Sequence, residues 1–171
     1  VAIKKRSNVV ARNWSAKRAI REFALLSSLN HPNIIPTLSV FTPQDDEDSF
    51  EDVYLVMELM NQDLNKVIVQ LKEEKRSLDH STLKFFIYQI LCAVNYLHRE
   101  GIIHRDLKPS NIAVNESCVV KLLDFGLARM FSPIDQMTGY ITTRNYRAPE
   151  LLLGFLSTDN FSHTMQYSEK G

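Results

Sequence analysis

The sequence predicts an α+β fold in two parts, a strand-rich segment over residues 1–56 and a helical segment over 63–154, joined by a short link at 57–62. Three observations predict it. β-rich runs at 1–5, 34–41 and 53–58 surround one amphipathic stretch at 13–29. From Gln62 onward the apolar spacing changes from two to three and four. After Gly101 short β-rich runs return, carrying two compact groups of polar residues. A single α+β domain fits the same periodicity.

In chain order, residues 1–5 alternate, with Val1 and Ile3 on one side and Ala2 and Lys4 on the other, as a strand does. The stretch 13–29 sets Ile20, Phe23, Ala24 and residues 26–29 on the apolar side of a helix, behind a capping Asn13. His31-Pro32-Asn33 ends it, because the residue before a proline avoids the α region. The runs 34–41 and 53–58 then flank QDDEDSFED, whose acidity makes it a solvated loop. Leu64, Val67, Ile68 and Leu71 share the face of a second helix that ends in charged residues 72–76. The clearest helix covers 81–99, and its spacing predicts burial of Leu83, Phe86, Ile87, Ile90, Leu91, Val94 and Leu97, with Gly101 as the stop. Residues 127–150 read mainly as loop, broken by Pro133, Gly139 and Pro149.

The 171 residues suffice for one core of ordinary size, and 44% hydrophobic with 23% charged residues is a globular composition. Lys plus Arg equals Asp plus Glu at 20 each, so nothing global points to nucleic acid or an acidic membrane surface. Apolar runs such as 85–88 and 119–123 are far too short to span a bilayer. Cys92 and Cys118 lack metal-ligand spacing and read as free thiols of a reducing compartment. Val1-Ala2-Ile3 is apolar from the first residue and resembles the middle of a strand, so a fragment is expected.

The chemistry is concentrated in residues 102–126, IIHRDLKPSNIAVNESCVVKLLDFG. His104, Arg105 and Asp106 are followed by Lys108 and Asn111; Asp124 stands after the strand-like run 119–123, backed by Phe125 and Gly126. One carboxylate can accept a hydroxyl proton while Asn111 and Asp124 offer oxygen ligands to a hard divalent cation. An isolated Asp-Phe-Gly is more often a turn beside a buried strand. Two ordered polar groups at this spacing are far harder to obtain by chance.

These residues, with Val-Ala-Ile-Lys at 1–4 and Arg-Ala-Pro-Glu at 147–150, resemble the signature of eukaryotic protein kinases. The resemblance implies a two-lobe kinase fold truncated at both ends, with ATP and Mg2+ as cofactors. It implies Lys4 over the α- and β-phosphates, held by Glu22; Asp106 as the base or hydroxyl-orienting group; Lys108 on the transferring phosphoryl group; and Asn111 and Asp124 on magnesium. Residues 57–62 become the hinge, where Glu58 and Met60 bind the adenine edge, Met57 guards the back pocket and Asp63 reaches the ribose. His104 is expected to support the loop rather than carry protons, and Arg105 to receive a phosphorylated activation loop.

Residues 138–150, TGYITTRNYRAPE, are similar to the activation segment of mitogen-activated protein kinases, with Thr138 and Tyr140 as the dual phosphorylation site. Thr143, Arg144 and Arg147 then border a proline-directed substrate pocket. The implied partners are an upstream dual-specificity kinase, Ser/Thr-Pro protein substrates, and docking-motif proteins and phosphatases; the implied location is cytoplasm and nucleus. Thr-Gly-Tyr and residues 111–116 resemble the p38-like stress-activated type, whereas residues 40–44 and 57–60 resemble Jun N-terminal kinases. The former type is favoured because the glycine lies in the activating segment itself. Asn145 stands where both types usually have an aromatic residue, and the polar residues 155–171 diverge from the family. Missing first strands, missing later helices and an unpaired Glu150 predict a weakly active or inactive chain. The alternative function is a non-catalytic competitor that binds kinase partners through a groove between residues 64–71, 81–99 and 115–120.

Overall fold

The computed structural model describes residues 1–9, 13–44, 51–131 and 144–149. The alternation at the start of the chain forms β1 (Ala2–Arg6), with Ala2, Lys4 and Arg6 inward and Ile3 and Lys5 outward. It pairs antiparallel with β3 (Val53–Met57), which pairs on its other side with β2 (Thr37–Phe41), giving the order β1-β3-β2. The strand expected from residue 34 starts later because Pro36 has no amide hydrogen to give a ladder. Ile34 and Ile35 leave the sheet and enter the core.

Helix α1 (Asn13–Ser28) lies beside this sheet. Its inward face is Ala19, Glu22 and Leu26; Ile20 and Ala24, expected inside, are exposed. The reason is electrostatic. A glutamate that finds two cations under the sheet fixes which side of the helix turns in, and Ile20 falls outside that stripe.

After the link comes β4 (Gln62–Asp63) and α2 (Leu64–Glu73), on which Leu64, Val67 and Leu71 are half-buried while Ile68 is exposed. The charged stretch after it is an exposed turn with Lys75 at a positive φ of 54°. Helix α3 (His80–Arg99) is capped by Asp79, whose carboxylate accepts from Ser81 and Thr82 amides at 2.9 Å each. Gly101, at φ 68°, ends it as expected. Of the predicted core face, Phe86 and Leu97 are buried and Ile90 and Val94 half-buried, but Leu83, Ile87 and Leu91 are 44%, 49% and 60% exposed. Helix α3 is apolar on more than one side, and the described residues cover only the side of Phe86, Gln89, Ala93 and Leu97.

The short strands β5 (Ile102–Ile103), β6 (Ile112–Val114), β7 (Val120–Leu122) and β8 (Arg129–Met130) complete the set, as sheets β4-β6-β7 and β5-β8. One core joins Leu26 and Leu55 to Leu97, Ile112, Leu122 and Phe125. A buried polar knot ties the parts together. Asn33 Nδ2 donates to Gln89 Oε1 at 2.9 Å and to the Val120 carbonyl at 2.8 Å. Gln89 accepts from the Val120 amide and donates to the Cys118 carbonyl, both at 2.9 Å. The Leu122 amide donates to Asn33 O, and the Ile35 amide to Leu122 O, so the segment after α1 is bound to β7. Cys92 and Cys118 are free thiols, and no helix among the described residues is long and apolar enough to cross a membrane.

Candidate active site

Four segments converge. Strand β1 brings Lys4, α1 brings Glu22, the turn after β5 brings Asp106, Lys108 and Asn111, and the turn after β7 brings Asp124. Lys4 Nζ lies 2.6 Å from Glu22 Oε1 and 3.6 Å from Asp124 Oδ1. Glu22 is only 1% exposed, so its partners are structural necessities: a buried carboxylate is tolerated only when paired. Its second partner is Arg6, with Nη2 2.7 Å from Oε2. Arg6 escaped the reading of the sequence, although its position two residues after Lys4 on a strand puts it on the same face.

Asp124 stands in the left-handed region at φ 57° and ψ 75°. Such a conformation is uncommon outside glycine and here aims the carboxylate back at β1 and α1. Lys4 and Arg6 lie 3.6 Å from Oδ1, and Arg18 of α1 lies 3.5 Å from Oδ2. Burial pushes its pKa up, but Lys4, Arg18 and Arg6 together outweigh burial and hold it below the ordinary carboxylate range. Gly126 lets this turn pass under α1: a Cβ there would stand 2.5 Å from Arg18 Nε and 2.9 Å from its Cγ.

The loop between β5 and β6 is held by short-range bonds. Asn111 Nδ2 donates to the Asp106 backbone carbonyl at 2.8 Å and to Asp106 Oδ2 at 2.9 Å, and Lys108 Nζ lies 2.8 Å from the same oxygen. Using its amide nitrogen this way leaves the Asn111 side-chain oxygen, Oδ1, as the atom that could ligate a cation. Its backbone carbonyl accepts from the Leu123 amide at 2.8 Å, joining this loop to the one that carries Asp124. The donors Asn111 Oδ1 and the Asp124 carboxylate are hard oxygens, which suits magnesium sharing its shell with phosphate and water.

His104 is buried behind them. Its Nδ1 accepts from the Asp106 amide at 3.3 Å, so Nε2 carries the hydrogen and donates to the Leu123 carbonyl at 2.9 Å; its ring meets Phe125 edge-on. Burial lowers its pKa, only partly offset by the Leu123 bond and the nearby carboxylates. The folded protein therefore keeps His104 neutral while the unfolded chain takes up a proton near the usual value of 6.5. Stability from this group is full above that value and is lost as pH falls from it toward the depressed folded value. We expect wild type to lose up to about 1.4 kcal/mol per pH unit more than His104→Gln across that window. Urea unfolding at pH 7.5 and 5.5 checks this; equal losses in the two proteins would exclude it.

Along the link, Met57 ends β3 and packs against the core, and Met60 is half-buried. Glu58 Oε2 pairs with Lys121 Nζ at 3.1 Å. Asp63 caps α2, accepting from the Lys66 amide at 2.9 Å, so one of its oxygens is already engaged. Asn61 and Glu116 clamp each other: Asn61 Nδ2 donates to Glu116 Oε1 and the Glu116 amide donates to Asn61 Oδ1. Arg144 lies in a short 3-10 turn and Arg147 is half-buried. Thr138, Tyr140, Thr143 and Glu150 lie outside the described residues, as do most of the activation segment and the tail.

A family model described as the protein kinase domain matches residues 1–168, running past residue 154. The chain belongs to the protein kinase family. Among curated proteins it is 52% identical over 173 residues to the GLH-binding kinase 1 of Caenorhabditis elegans, covering 99% of this chain and 40% of that one. It is 51% identical over 160 residues to the stress-activated protein kinase JNK of Drosophila melanogaster, covering 94% of this chain and 41% of that one. This kinase chain thus spans about two fifths of the length of both relatives. The mixed helix and strand architecture is that of a kinase-domain segment, and protein kinases in general use ATP with Mg2+.

Three arginines of the kinase chain approach one another beside the site. Arg21 donates to the Gly126 carbonyl at 3.4 Å, Arg129 donates to the Ala128 carbonyl at 3.1 Å, and Arg105 sits at φ 68°. Burial lowers the pKa of each, and Arg21 and Arg105 are lowered further by the neighbouring guanidinium of Arg129. Sequence reasoning placed Arg105 and the cations around Arg129, with Arg144 or Arg147, as the receivers of a phosphorylated loop; it missed Arg21, which α1 sets beside them, a contact that no local pattern encodes.

Proposed function

We propose that this chain carries the phosphoryl-transfer centre of a stress-activated mitogen-activated protein kinase, transferring the γ-phosphoryl group of ATP to serine or threonine followed by proline. The observation that carries the reading is the meeting of Lys4, Glu22 and Asp124 from three separate segments, beside a loop in which Asp106, Lys108 and Asn111 are mutually bonded. Phosphoryl transfer requires alignment and charge neutralisation more than covalent help. In this reading Glu22 fixes the Lys4 ammonium for the phosphates, Asp106 accepts the hydroxyl hydrogen, and Lys108 faces the transferring group. Asn111 Oδ1 and Asp124 would hold magnesium, which when bound neutralises phosphate charge. The hinge groups at Glu58 and Met60 take the adenine, Met57 lines the space behind it, and Asp63 faces the ribose. Phosphate placed on Thr138 and Tyr140 by an upstream dual-specificity kinase would be received by Arg21, Arg105 and Arg129, whose mutual repulsion an anion relieves. The residues 143, 144 and 147 then shape the proline-directed pocket.

The decisive variant is Lys4→Met in the protein that contains this chain. Steady-state transfer from MgATP to a Ser-Pro peptide is expected to fall about 10²–10³-fold, the range for loss of one fixed charge at a developing anion. Retention of more than a tenth of the wild-type rate in a folded K4M protein overturns the assignment.

A further inference from the structure

We infer that Lys121 is a positioning residue that holds the Glu58 end of the link in place for a purine ring. The inference rests on the reading, proposed above, that the link takes the adenine.

The link is fastened along the β6–β7 hairpin. At its far end Gln62 and Asp63 pair in register with Val114 and Ala113 of β6. Just before them the Asn61 side chain bonds Glu116 twice, at 3.0 and 3.3 Å. At the near end the ladders to β1 and β2 stop at Met57, and one residue further on Lys121 takes over, its Nζ 3.1 Å from Glu58 Oε2. Leu59, between the two fastenings, is 65% exposed. The main chain from Glu58 to Met60 is thus a short span between two posts.

Lys121 is the fixed member of its pair. Its side chain is 12% exposed against 39% for Glu58, and its Nζ also donates to the Pro32 carbonyl at 3.0 Å. Strand β7 carries it between Val120 and Leu122, both fully buried, so its main chain has little room to move. An ion pair that water reaches from one side adds little to stability. What it supplies is preorganisation: a residue pinned by its side chain presents its main chain in one direction, and a ligand binding there need not order it. The same ammonium touches the segment after α1, so link, hairpin and that segment meet on one atom.

Calorimetric affinities for adenosine and for ATP, measured on the protein that contains this chain, test the role, because the two ligands share the ring and differ in the phosphates. Lys121→Met keeps the stem and drops the charge. It is expected to weaken both affinities by the same factor, about three- to tenfold, the scale of one side chain left to be ordered on binding. Glu58→Ala, at the more exposed partner, is expected to give the same loss, and adding K121M to E58A should cause no further loss. E58A also serves if K121M alone folds poorly. A K121M loss confined to ATP makes Lys121 act on the phosphates and overturns the inference. A K121M loss that persists undiminished in the E58A background is a general loosening of the fold and overturns it as well. A wild-type protein with no measurable adenosine affinity removes the link as the adenine site, and the role of Lys121 with it. An adenosine affinity indifferent to both K121M and E58A leaves the proposed function standing and rejects only Lys121.

Discussion

Replacing Asp106 by asparagine is expected to lower kcat for Ser-Pro peptide phosphorylation by about 10²–10⁴-fold while ATP affinity stays within about threefold. Asp106 is 6% exposed, and its Oδ2 is shared by the Asn111 amide and the Lys108 ammonium at 2.9 and 2.8 Å. Asparagine keeps the shape and one acceptor, so the loop should hold. What disappears is the negative charge that anchors Lys108 and that, in the proposed function, draws the hydroxyl hydrogen. The split between kcat and ATP affinity separates that chemical role from a general loosening of the loop, which would weaken nucleotide binding too. A loss below tenfold in kcat, measured on protein containing the whole catalytic unit, would remove Asp106 from the reaction.

Gln89→Leu is expected to have the largest effect on stability, about 3–5 kcal/mol. The leucine is close in volume but strands two buried groups, the Val120 amide and one hydrogen of the Asn33 amide, and a third that is part-buried, the Cys118 carbonyl. Each buried polar group left without a partner costs about 1–3 kcal/mol, and partial repair by shifting backbone lowers the sum. Urea unfolding at neutral pH gives the value. A change below about 1 kcal/mol would mean that the knot is dispensable. Asn33→Ala removes the same Asn33–Gln89 bond from its other side, so the double variant should lose less than the sum of the two.

The division between what the sequence revealed and what it hid follows the length of the contacts. Asp106, Lys108 and Asn111 lie within five residues of one another, and a loop closing over so few residues carries its geometry in its motif. The strand at 1–5, the helices and their stops were legible because alternation, helical spacing and proline act locally, whereas Asn13, expected as a cap, is the first helical residue of α1. Lys4 and Glu22 are eighteen residues apart and were paired only through likeness to a known family. The contacts of Arg18 with Asp124, Arg21 with Gly126 and Asn33 with Gln89 span 106, 105 and 56 residues and depend on how α1 is laid against the later turns. Nothing in a window of sequence encodes that placement. The same limit explains Leu83, Ile87 and Leu91. Periodicity states that a face is apolar, but not which neighbour covers it.

The attachment of α1 is lopsided, and that has a mechanical consequence. Beyond its C-terminal end, the amide of Asn30 donates to the Tyr96 hydroxyl and Asn33 is fastened to Gln89 and β7, whereas Arg18 and Glu22, nearer the other end, are held by side-chain charges. The helix is therefore a lever with its fulcrum at its C-terminal residue, Ser28. At 1.5 Å of rise per residue, a tilt of roughly 10° about that end sweeps Glu22 through about 1.5 Å. A swing of that size is enough to part an ion pair of 2.6 Å, so a small angular disturbance at the distant anchor disengages Lys4 without touching it.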